Sequence, residues 1–362
     1  MTFVPVRYFG PQIRIPIRYP LHTMQSPTHT DIPASAPHSK VPAFRLIGEQ
    51  LSRVRDLINE QLTVPDKTGD INGLLRHISI RSGKMIRPGL VLLAGRCYGK
   101  ITDEHIRVAA IIEMIHNATL LHDDVIDEGK QRRGLPTINS LWGNESAVLL
   151  GDFLLSRVFK MCAELESQAD NVIAATAVRL CEGELRQIAQ KHNWLLNEAE
   201  YIDVITEKSA VLFSSSCYLG GLLAGASESQ AQSLGDFGLN AGIAFQITDD
   251  LLDIVGDESK TGKTLGSDVD KHKLTLAVIH LLKAVDQKEK ETIITSFLDI
   301  TDAKYDKNAL VEMLGRYGSL EYARNRAREF VAAAKQALAD LKQTDAKAAL
   351  IETAEFMAGR TI

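Results

Sequence analysis

The sequence predicts an all-α fold, a single helical bundle of about ten helices around a central cavity. From residue 43 onward, apolar residues recur three and four positions apart, as on one face of a helix. The alternating pattern that is typical of strands is scarce. Two acidic clusters lie inside apolar, helix-forming stretches, and burying such charge in a packed core is costly. The clusters therefore favour a cavity between helices.

Short polar breaks separate the predicted helices. Helical periodicity is clearest in residues 44–62, 106–121, 146–165 and 172–190. Breaks are expected at Pro88 and in residues 225–233 and 256–273. The last of these is long and polar, which is typical of a functional lid. Residues 286–296 are expected to form an exposed connector.

The N-terminal segment differs from the rest of the chain. Residues 1–42 contain eight of the 11 prolines, three arginines and no acidic residue before Asp31. We expect them to form a disordered extension and residues 43–362 to form one domain. An arginine-rich, acid-poor segment also suits a targeting peptide, although its prolines disfavour an amphipathic transit helix. A start of translation at Met24 is a further alternative.

Composition excludes several classes of function. The net charge of −5 provides no global basic field for nucleic acid. No apolar run approaches the roughly 18 residues of a membrane span, so we expect a cytoplasmic protein, or an organellar one if residues 1–40 are a transit peptide. The cysteines form no C-x-x-C pair, which favours free thiols over a zinc site. They are Cys97, Cys162, Cys181 and Cys217.

Two D-D-x-x-D motifs carry the functional signal. The first lies in LLHDDVIDEGKQRRG and the second in FQITDDLLDIVGD. Residues i and i+4 share a helix face, so each motif presents paired carboxylates. Magnesium is usually held by one or two carboxylates and a substrate phosphate. One copy alone is more often a solvated helix face, but here two copies each follow an apolar run and precede basic residues. The carboxylates are Asp123, Asp124, Asp127, Asp249, Asp250 and Asp253.

The set of motifs resembles the trans-isoprenyl diphosphate synthases, the polyprenyl synthetase family, and most closely its long-chain type. The resemblance covers about residues 45–280 and rests on several motifs in the same order. They are GKMIRP, IHNATLLHDDVID, QRRG, GDFLL, CEGELRQ, EKSAVLF, FQITDDLLD and GKTLGSDVDKHKLTL. It implies an isoprenoid synthase-type bundle that condenses an allylic diphosphate head-to-tail with isopentenyl diphosphate.

The resemblance also implies about three Mg²⁺ ions bound with the allylic diphosphate. Asp123, Asp127 and Asp249 are expected to hold them most directly. Asp124, Asp250 and Asp253 are expected to support them or to bind through water. Metal ions neutralise the charge of the departing diphosphate.

Cationic side chains are expected to complete two anion sites. The allylic diphosphate site is predicted to use Arg132, Lys208, Lys263 and Lys273. The isopentenyl diphosphate site is predicted, by resemblance, to use Lys84, Arg87, His116 and Arg133. His116 lies seven residues before Asp123, about two helical turns, and so faces the same side.

Oxygen atoms without a strong nucleophile are needed beside the carbocation. We expect them from Gln246 and from Ser209, which stands where the family usually has threonine. With Asp123, Asp127, Asp249 and Lys208, Gln246 is therefore assigned a catalytic role. Met85, where the first basic motif commonly has arginine, and His272, where glycine is frequent, depart from the family pattern.

Product length is expected to depend on the helix before the first motif. Ala118, Ile115 and Ile111 fall on successive turns of about 5.4 Å. The small Ala118 leaves the path beside the helix open, which favours a long-chain product for a quinone side chain, delivered to a membrane. The alternatives are a shorter geranylgeranyl product and a non-catalytic partner subunit. We expect a homodimer, with a heteromer as the alternative assembly.

Overall fold

The chain is mainly helical in the described regions of the computed structural model. These regions are residues 41–64, 73–75, 77, 83–132, 134–256, 273–298 and 307–359, and all fall within one unit of the chain. Residues 1–40, which were expected to be disordered, lie outside them, as do residues 257–272 of the expected lid. The all-α prediction is confirmed.

Thirteen α-helices form in the described regions. They are α1 Gly48–Gln61, α2 Ile86–Tyr98, α3 Asp103–Ile126, α4 Ile138–Cys162, α5 Ala169–Ala189, α6 Glu198–Ile205, α7 Val211–Leu223, α8 Glu228–Val255, α9 Leu276–Ala284, α10 Gln287–Ile293, α11 Lys307–Arg316, α12 Ser319–Ala337 and α13 Asp345–Ala358. A 3₁₀ turn, Pro42–Ile47, precedes α1, and π-helical turns follow α6 (Thr206–Ala210) and α10 (Ile294–Leu298). An antiparallel hairpin of β1 Gln131–Arg132 and β2 Leu135–Pro136 follows α3.

Three expected breaks were wrong or too long. Pro88 lies in the first turn of α2, where a residue without an N–H is tolerated. The break at residues 225–233 is shorter, because α8 already begins after Ser227, whose side chain accepts from the Gln230 N–H. The expected connector at residues 286–296 contains α10, because the Asp286 side chain caps that helix by accepting from the Glu289 N–H.

Helix α8 joins the two halves of the core. Its N-terminal part contributes Leu234 and Phe237 to a cluster with α1 to α5 and α7. Its C-terminal part contributes Ile247 and Leu251 to a second cluster with α6, α9 and α12. Close packing against α7 requires a glycine, since a β-carbon at Gly238 would lie 2.4 Å from the Phe213 carbonyl oxygen. The second acidic motif is thus carried on a helix that packs into both clusters of the core.

No helix in the described part of the chain combines the length and the apolar character that are needed to cross a membrane.

Candidate active site

The three aspartates of the first acidic motif lie in two different environments. Asp127 caps the C-terminus of α3 by donating its N–H to the Asp123 carbonyl oxygen at 2.8 Å, and both side chains are half-buried. Asp124 is 3% exposed and accepts a hydrogen bond from Arg132 Nε at 2.8 Å. Asp124 therefore fastens the β-hairpin to α3, whereas Asp123 and Asp127 are the less buried carboxylates of the motif.

Lys208 lies among the acidic groups of α3 and α5. Its Nζ is 2.5 Å from Glu184 Oε2. Burial raises the pKa of Asp123, and the charge of Lys208 opposes that rise. Burial acts to lower the pKa of Lys208, but Asp123 and Glu184 outweigh it, so the net shift is upward. Lys208 is therefore held as a cation beside the first motif.

Lys273 also contacts the first acidic motif, although it lies 146 residues after Asp127 in the sequence. Its Nζ lies 3.1 Å from Asp127 Oδ1 and 3.4 Å from Oδ2. The Gln187 amide, with its oxygen turned toward the two ammonium donors as hydrogen bonding requires, accepts from Lys273 at 3.1 Å and from Lys208 at 3.0 Å. The two predicted lysines are thus brought together, and Gln187 bridges them.

The position of Lys208 is set by a π-helical turn packed tightly against α5. Thr206–Ala210 forms this turn, and such turns are frequent at functional sites. A β-carbon at Gly183 would lie 2.4 Å from the Lys208 backbone nitrogen, so only glycine permits this approach. Arg179 adds a two-pronged contact to Glu207, at 2.7 and 2.9 Å. Together these contacts fix the distance from Lys208 to α5.

The second acidic motif presents its carboxylates unequally. Asp249 and Asp250 are half-buried near the C-terminal end of α8, whereas Asp253 is 1% exposed. The shared helix face that was predicted for Asp249 and Asp253 therefore runs from a half-exposed position into the core.

Hydrogen bonds join this motif to the turn that carries Lys208. Asp250 accepts from Tyr201 Oη at 2.6 Å and from Gln246 Nε2 at 2.8 Å. The Gln246 amide oxygen in turn accepts from Ser209 Oγ at 2.8 Å. The two residues that were predicted to face the carbocation, Ser209 and Gln246, are thus in direct contact.

Two predicted basic side chains of the isopentenyl diphosphate site lie against aromatic rings. Lys84 Nζ is 4.7 Å from the ring centre of Phe356, on α13. The Arg87 guanidinium is 4.2 Å from the ring centre of Phe213, on α7. Both distances are in the range of cation–π contacts. One ring from the C-terminal helix and one from the middle of the chain therefore contact this basic pair.

The turn before α2 separates the two basic residues. Met85 has φ 54° and ψ 40°, a left-handed conformation that is uncommon for a residue other than glycine. Its side chain is 2% exposed and belongs to the core. His116 is partly exposed on α3, two turns before Asp123. Arg133 and Lys263, which were also predicted to bind diphosphate, lie outside the described residues.

The three predicted length-determining residues are buried along α3. Ala118, Ile115 and Ile111 are 1%, 2% and 0% exposed. Such a buried apolar stripe is also the ordinary core pattern of a helix. Their role in product length therefore stays a prediction.

The donor set fits magnesium. Among the described residues, no three carboxylate, imidazole or thiol groups lie close enough to enclose one ion. Magnesium commonly takes only one or two carboxylates and completes its shell with phosphate oxygens and water. The half-buried Asp123, Asp127 and Asp249 offer hard oxygen ligands of this kind and would hold the ions.

Comparison with known proteins gives the family. The polyprenyl synthetase family model matches residues 69–314. The chain belongs to the polyprenyl synthetase family. It is therefore a prenyltransferase.

Relatives of this synthetase differ in product length. The chain is 36% identical over 316 residues to the octaprenyl diphosphate synthase of Escherichia coli, covering 87% of this chain and 97% of that protein. It is 37% identical over 289 residues to a short chain isoprenyl diphosphate synthase of Methanothermobacter thermautotrophicus, covering 78% and 88%. Membership alone thus leaves chain length open.

A solved structure supports the fold of the synthetase. The polyprenyl synthase of Caulobacter crescentus CB15, complexed with calcium and isoprenyl diphosphate, is similar with a TM-score of 0.83 and 32% identity. The match covers 91% of this chain and 99% of that one. The isoprenoid synthase-type bundle is confirmed.

Three polar residues of this synthetase's site were missed from the sequence. Glu184 and Gln187 lie in the CEGELRQ motif, which was used for family resemblance without a role for either side chain. Their spacing of three on a predicted helix was the available signal. Tyr201 had no such signal, because its contact with Asp250 depends on how α6 packs against α8.

Proposed function

We propose that this protein is a head-to-tail trans-polyprenyl diphosphate synthase that makes a long-chain product for a quinone side chain. The observation that carries the proposal is the meeting of Lys208 and Lys273 at Gln187, beside Asp123 and Asp127. Cations and carboxylates interleaved in this way suit a metal-bound diphosphate, whose charge needs both kinds of partner.

The first chemical step is loss of the allylic diphosphate. The bond between the allylic carbon and the diphosphate oxygen breaks, and its electron pair leaves with the oxygen. Asp123, Asp127 and Asp249 would hold Mg²⁺, which would neutralise the charge of that leaving group. Lys208 and Lys273 add fixed positive charge in a partly buried setting, where it acts more strongly than in water. Arg132, on the β-hairpin, adds a further positive charge to the allylic diphosphate site.

Carbon–carbon bond formation follows. The isopentenyl double bond supplies the electron pair of the new bond, and a proton then leaves to the released diphosphate, which restores a double bond. Lys84, Arg87 and His116 hold the isopentenyl diphosphate. The oxygens of Ser209 and Gln246, which are joined by a hydrogen bond, offer lone pairs to the cation. A neutral hydroxyl and an amide oxygen are both weak nucleophiles.

A long product is favoured by the small side chain at Ala118, which is buried just before the first motif. The alternative is a shorter, geranylgeranyl product, and the 37% identity to a short chain isoprenyl diphosphate synthase favours it. A non-catalytic partner subunit is disfavoured, because such a subunit needs neither the complete aspartate motifs nor the two lysines.

We also propose a homodimer. Helices α4 and α5 expose large apolar side chains, among them Leu149 at 67%, Phe159 at 71% and Leu185 at 66%. Exposed apolar surface of this kind commonly marks an interface. We propose that a second copy of the chain covers this apolar surface of α4 and α5. A heteromeric partner is the alternative.

The test is product analysis. Purified protein is incubated with Mg²⁺, labelled isopentenyl diphosphate and farnesyl diphosphate, and product length is measured by chromatography. Products longer than geranylgeranyl diphosphate support the proposal, and a geranylgeranyl end product supports the alternative. Asp123→Ala should lower turnover at least about 10²-fold, while Asp236→Ala, an exposed carboxylate elsewhere on α8, should not. Absence of any product would overturn the assignment.

A further inference from the structure

Helix α6 and the π-helical turn are fastened to α8 by a chain of hydrogen bonds. Tyr201 Oη lies 2.6 Å from Asp250 Oδ2, and Gln246 Nε2 lies 2.8 Å from Asp250 Oδ1. Ser209 Oγ lies 2.8 Å from Gln246 Oε1. Tyr201 belongs to α6 and Ser209 to the π-helical turn. Gln246 and Asp250 lie four residues apart on one face of α8. The four side chains form one connected network.

The direction of each hydrogen bond follows from chemistry. An ionised carboxylate only accepts, so the tyrosine hydroxyl and the Gln246 amide nitrogen must donate to Asp250. With its nitrogen committed to Asp250, the Gln246 amide presents its oxygen to Ser209. The Ser209 hydroxyl must then donate. Its proton is thereby turned toward Gln246, and its oxygen lone pairs are left facing other directions.

Each oxygen of Asp250 is contacted by a different donor, and this fixes the plane of the carboxylate. Tyr201 is 3% exposed and its ring belongs to the core cluster around α8 and α9, so its hydroxyl is held in place by packing. The charge of Asp250 also polarises the amide and, through it, the serine hydroxyl, because linked hydrogen bonds strengthen one another.

We infer that Tyr201 is a positioning residue. Its hydroxyl holds the Asp250 carboxylate in place, and that carboxylate in turn orients the Gln246 amide. The oxygens of Gln246 and Ser209 are thereby aimed at the reacting carbocation. In this arrangement Asp250 orients a side chain instead of ligating a metal directly. The inference rests on the proposed function, because it assigns these oxygens to the cation formed there.

The direct test is Tyr201→Phe, which keeps the buried ring and removes the hydroxyl. We expect kcat to fall about tenfold or more, as for loss of a hydrogen bond to a charged group. The KM for isopentenyl diphosphate should stay within about twofold. Tyr218→Phe is the matched control, since it removes a hydroxyl that donates to Glu228 at 2.8 Å, and it should leave kcat unchanged.

A double-mutant cycle tests whether Tyr201 acts through Ser209. In Ser209→Ala the terminal hydroxyl is gone, so adding Tyr201→Phe should cost much less than it does in the wild type. In Ser209→Thr the hydroxyl is kept, and Tyr201→Phe should again cost about tenfold. Equal costs in both backgrounds would overturn the inference.

Asp250→Asn separates an anchor from a metal ligand and does not depend on how well Tyr201→Phe folds. We expect kcat to fall, while the Mg²⁺ concentration for half-activation and the rise in Tm with Mg²⁺ and inorganic diphosphate stay as in the wild type. Recovery of kcat in excess Mg²⁺ would overturn the inference by making Asp250 a ligand.

Failure of this inference is distinguishable from failure of the proposed function. A wild-type protein that makes no prenyl product from farnesyl and isopentenyl diphosphates refutes the function. An active wild type with a Tyr201→Phe variant of equal kcat refutes only the role of Tyr201.

Discussion

Lys273 and Asp127 form an ion pair across 146 residues of sequence, with Lys273 Nζ 3.1 Å from Asp127 Oδ1. The contact joins the segment before α9 to the C-terminus of α3. The two side chains are only 12% and 21% exposed, so water screens the pair weakly. The end of the predicted lid segment is therefore tied directly to the first acidic motif.

Removing the charge of Lys273 should impair use of the allylic substrate. Lys273→Met keeps a long side chain and loses the ammonium group that contacts Asp127 and Gln187. A hydrogen bond to a charged group contributes about 1.5–3 kcal/mol, so kcat/KM for farnesyl diphosphate should fall about 10–150-fold. Steady-state kinetics at saturating isopentenyl diphosphate measures this. Lys283→Met, at an exposed position of α9, is the control. Equal activity of the two variants would exclude Lys273 from the site.

The ring of Phe356 should support binding of isopentenyl diphosphate through Lys84. A cation–π contact is worth about 0.5–2 kcal/mol, so Phe356→Leu should raise the KM for isopentenyl diphosphate about 2–30-fold. The KM for farnesyl diphosphate should hardly change, and Phe356→Tyr should behave as wild type. Phe330→Leu removes a comparable contact with Arg326 and serves as the control. A rise in both KM values would instead indicate a general loss of structure.

Local pattern predicted the helices and the acidic faces, because periodicity and spacing are properties of neighbouring residues. The backbone hydrogen bond from Asp127 to Asp123 agrees with the predicted helix. The contact of Ser209 with Gln246, 37 residues apart, was not predicted from any local pattern. The burial of Asp124 against Arg132 does not follow from spacing, since it depends on where the hairpin folds back.

The π-helical turn was equally hidden from sequence. Nothing in the helical periodicity predicted the wider turn at Thr206–Ala210, where Gly183 permits the close approach of α5. Glu184 and Gln187 acquire their partners through that same packing. Tertiary contact therefore decides the details of the site, and it is not encoded in any single segment.

Acid should destabilise the protein through His105. This imidazole is fully buried, with Nδ1 accepting from the Thr102 N–H at 3.1 Å and Nε2 donating to the Gly220 carbonyl oxygen at 3.1 Å. Burial lowers the pKa of His105 below its usual 6.5. The folded state thus binds the proton less readily than the unfolded state. The stabilisation is fully present above pH 6.5 and is lost as the pH falls below it.

Urea unfolding between pH 8 and pH 5.5 measures this contribution of His105. The free energy of unfolding should fall with pH in the wild type and less steeply in His105→Gln, which has no imidazole to protonate. Parallel curves for the two proteins would show that another group causes the loss.

A charge on the apolar face of α5 should separate the proposed dimer. Leu185→Glu places a carboxylate in surface that a second copy would cover, and an unpaired buried charge is costly. Light scattering after size exclusion should give a dimer for the wild type and a monomer for the variant. Ala333→Glu, at an exposed position of α12, should stay dimeric. A monomeric wild type would refute the homodimer.

Filling the space at Ala118 should shorten the product. Ala118 is 1% exposed on α3, one turn before the first motif, and Ala118→Phe would place a ring beside the path of the growing chain. An extended prenyl chain cannot pass a filled cross-section in a close-packed interior. Overpacking costs about 1–3 kcal/mol, which a large helical protein tolerates.

We therefore expect an active Ala118→Phe enzyme whose products stop at about three or four isoprene units, as set by a ring one helical turn below the motif. Chromatography of labelled products measures the change. Ala118→Ser, which stays small, should keep the parent distribution and controls for altered helix chemistry. A folded, active Ala118→Phe enzyme with the parent distribution would show that the chain does not grow past Ala118. The long-chain proposal would then lose its steric basis, and the shorter-chain synthase would be the better assignment.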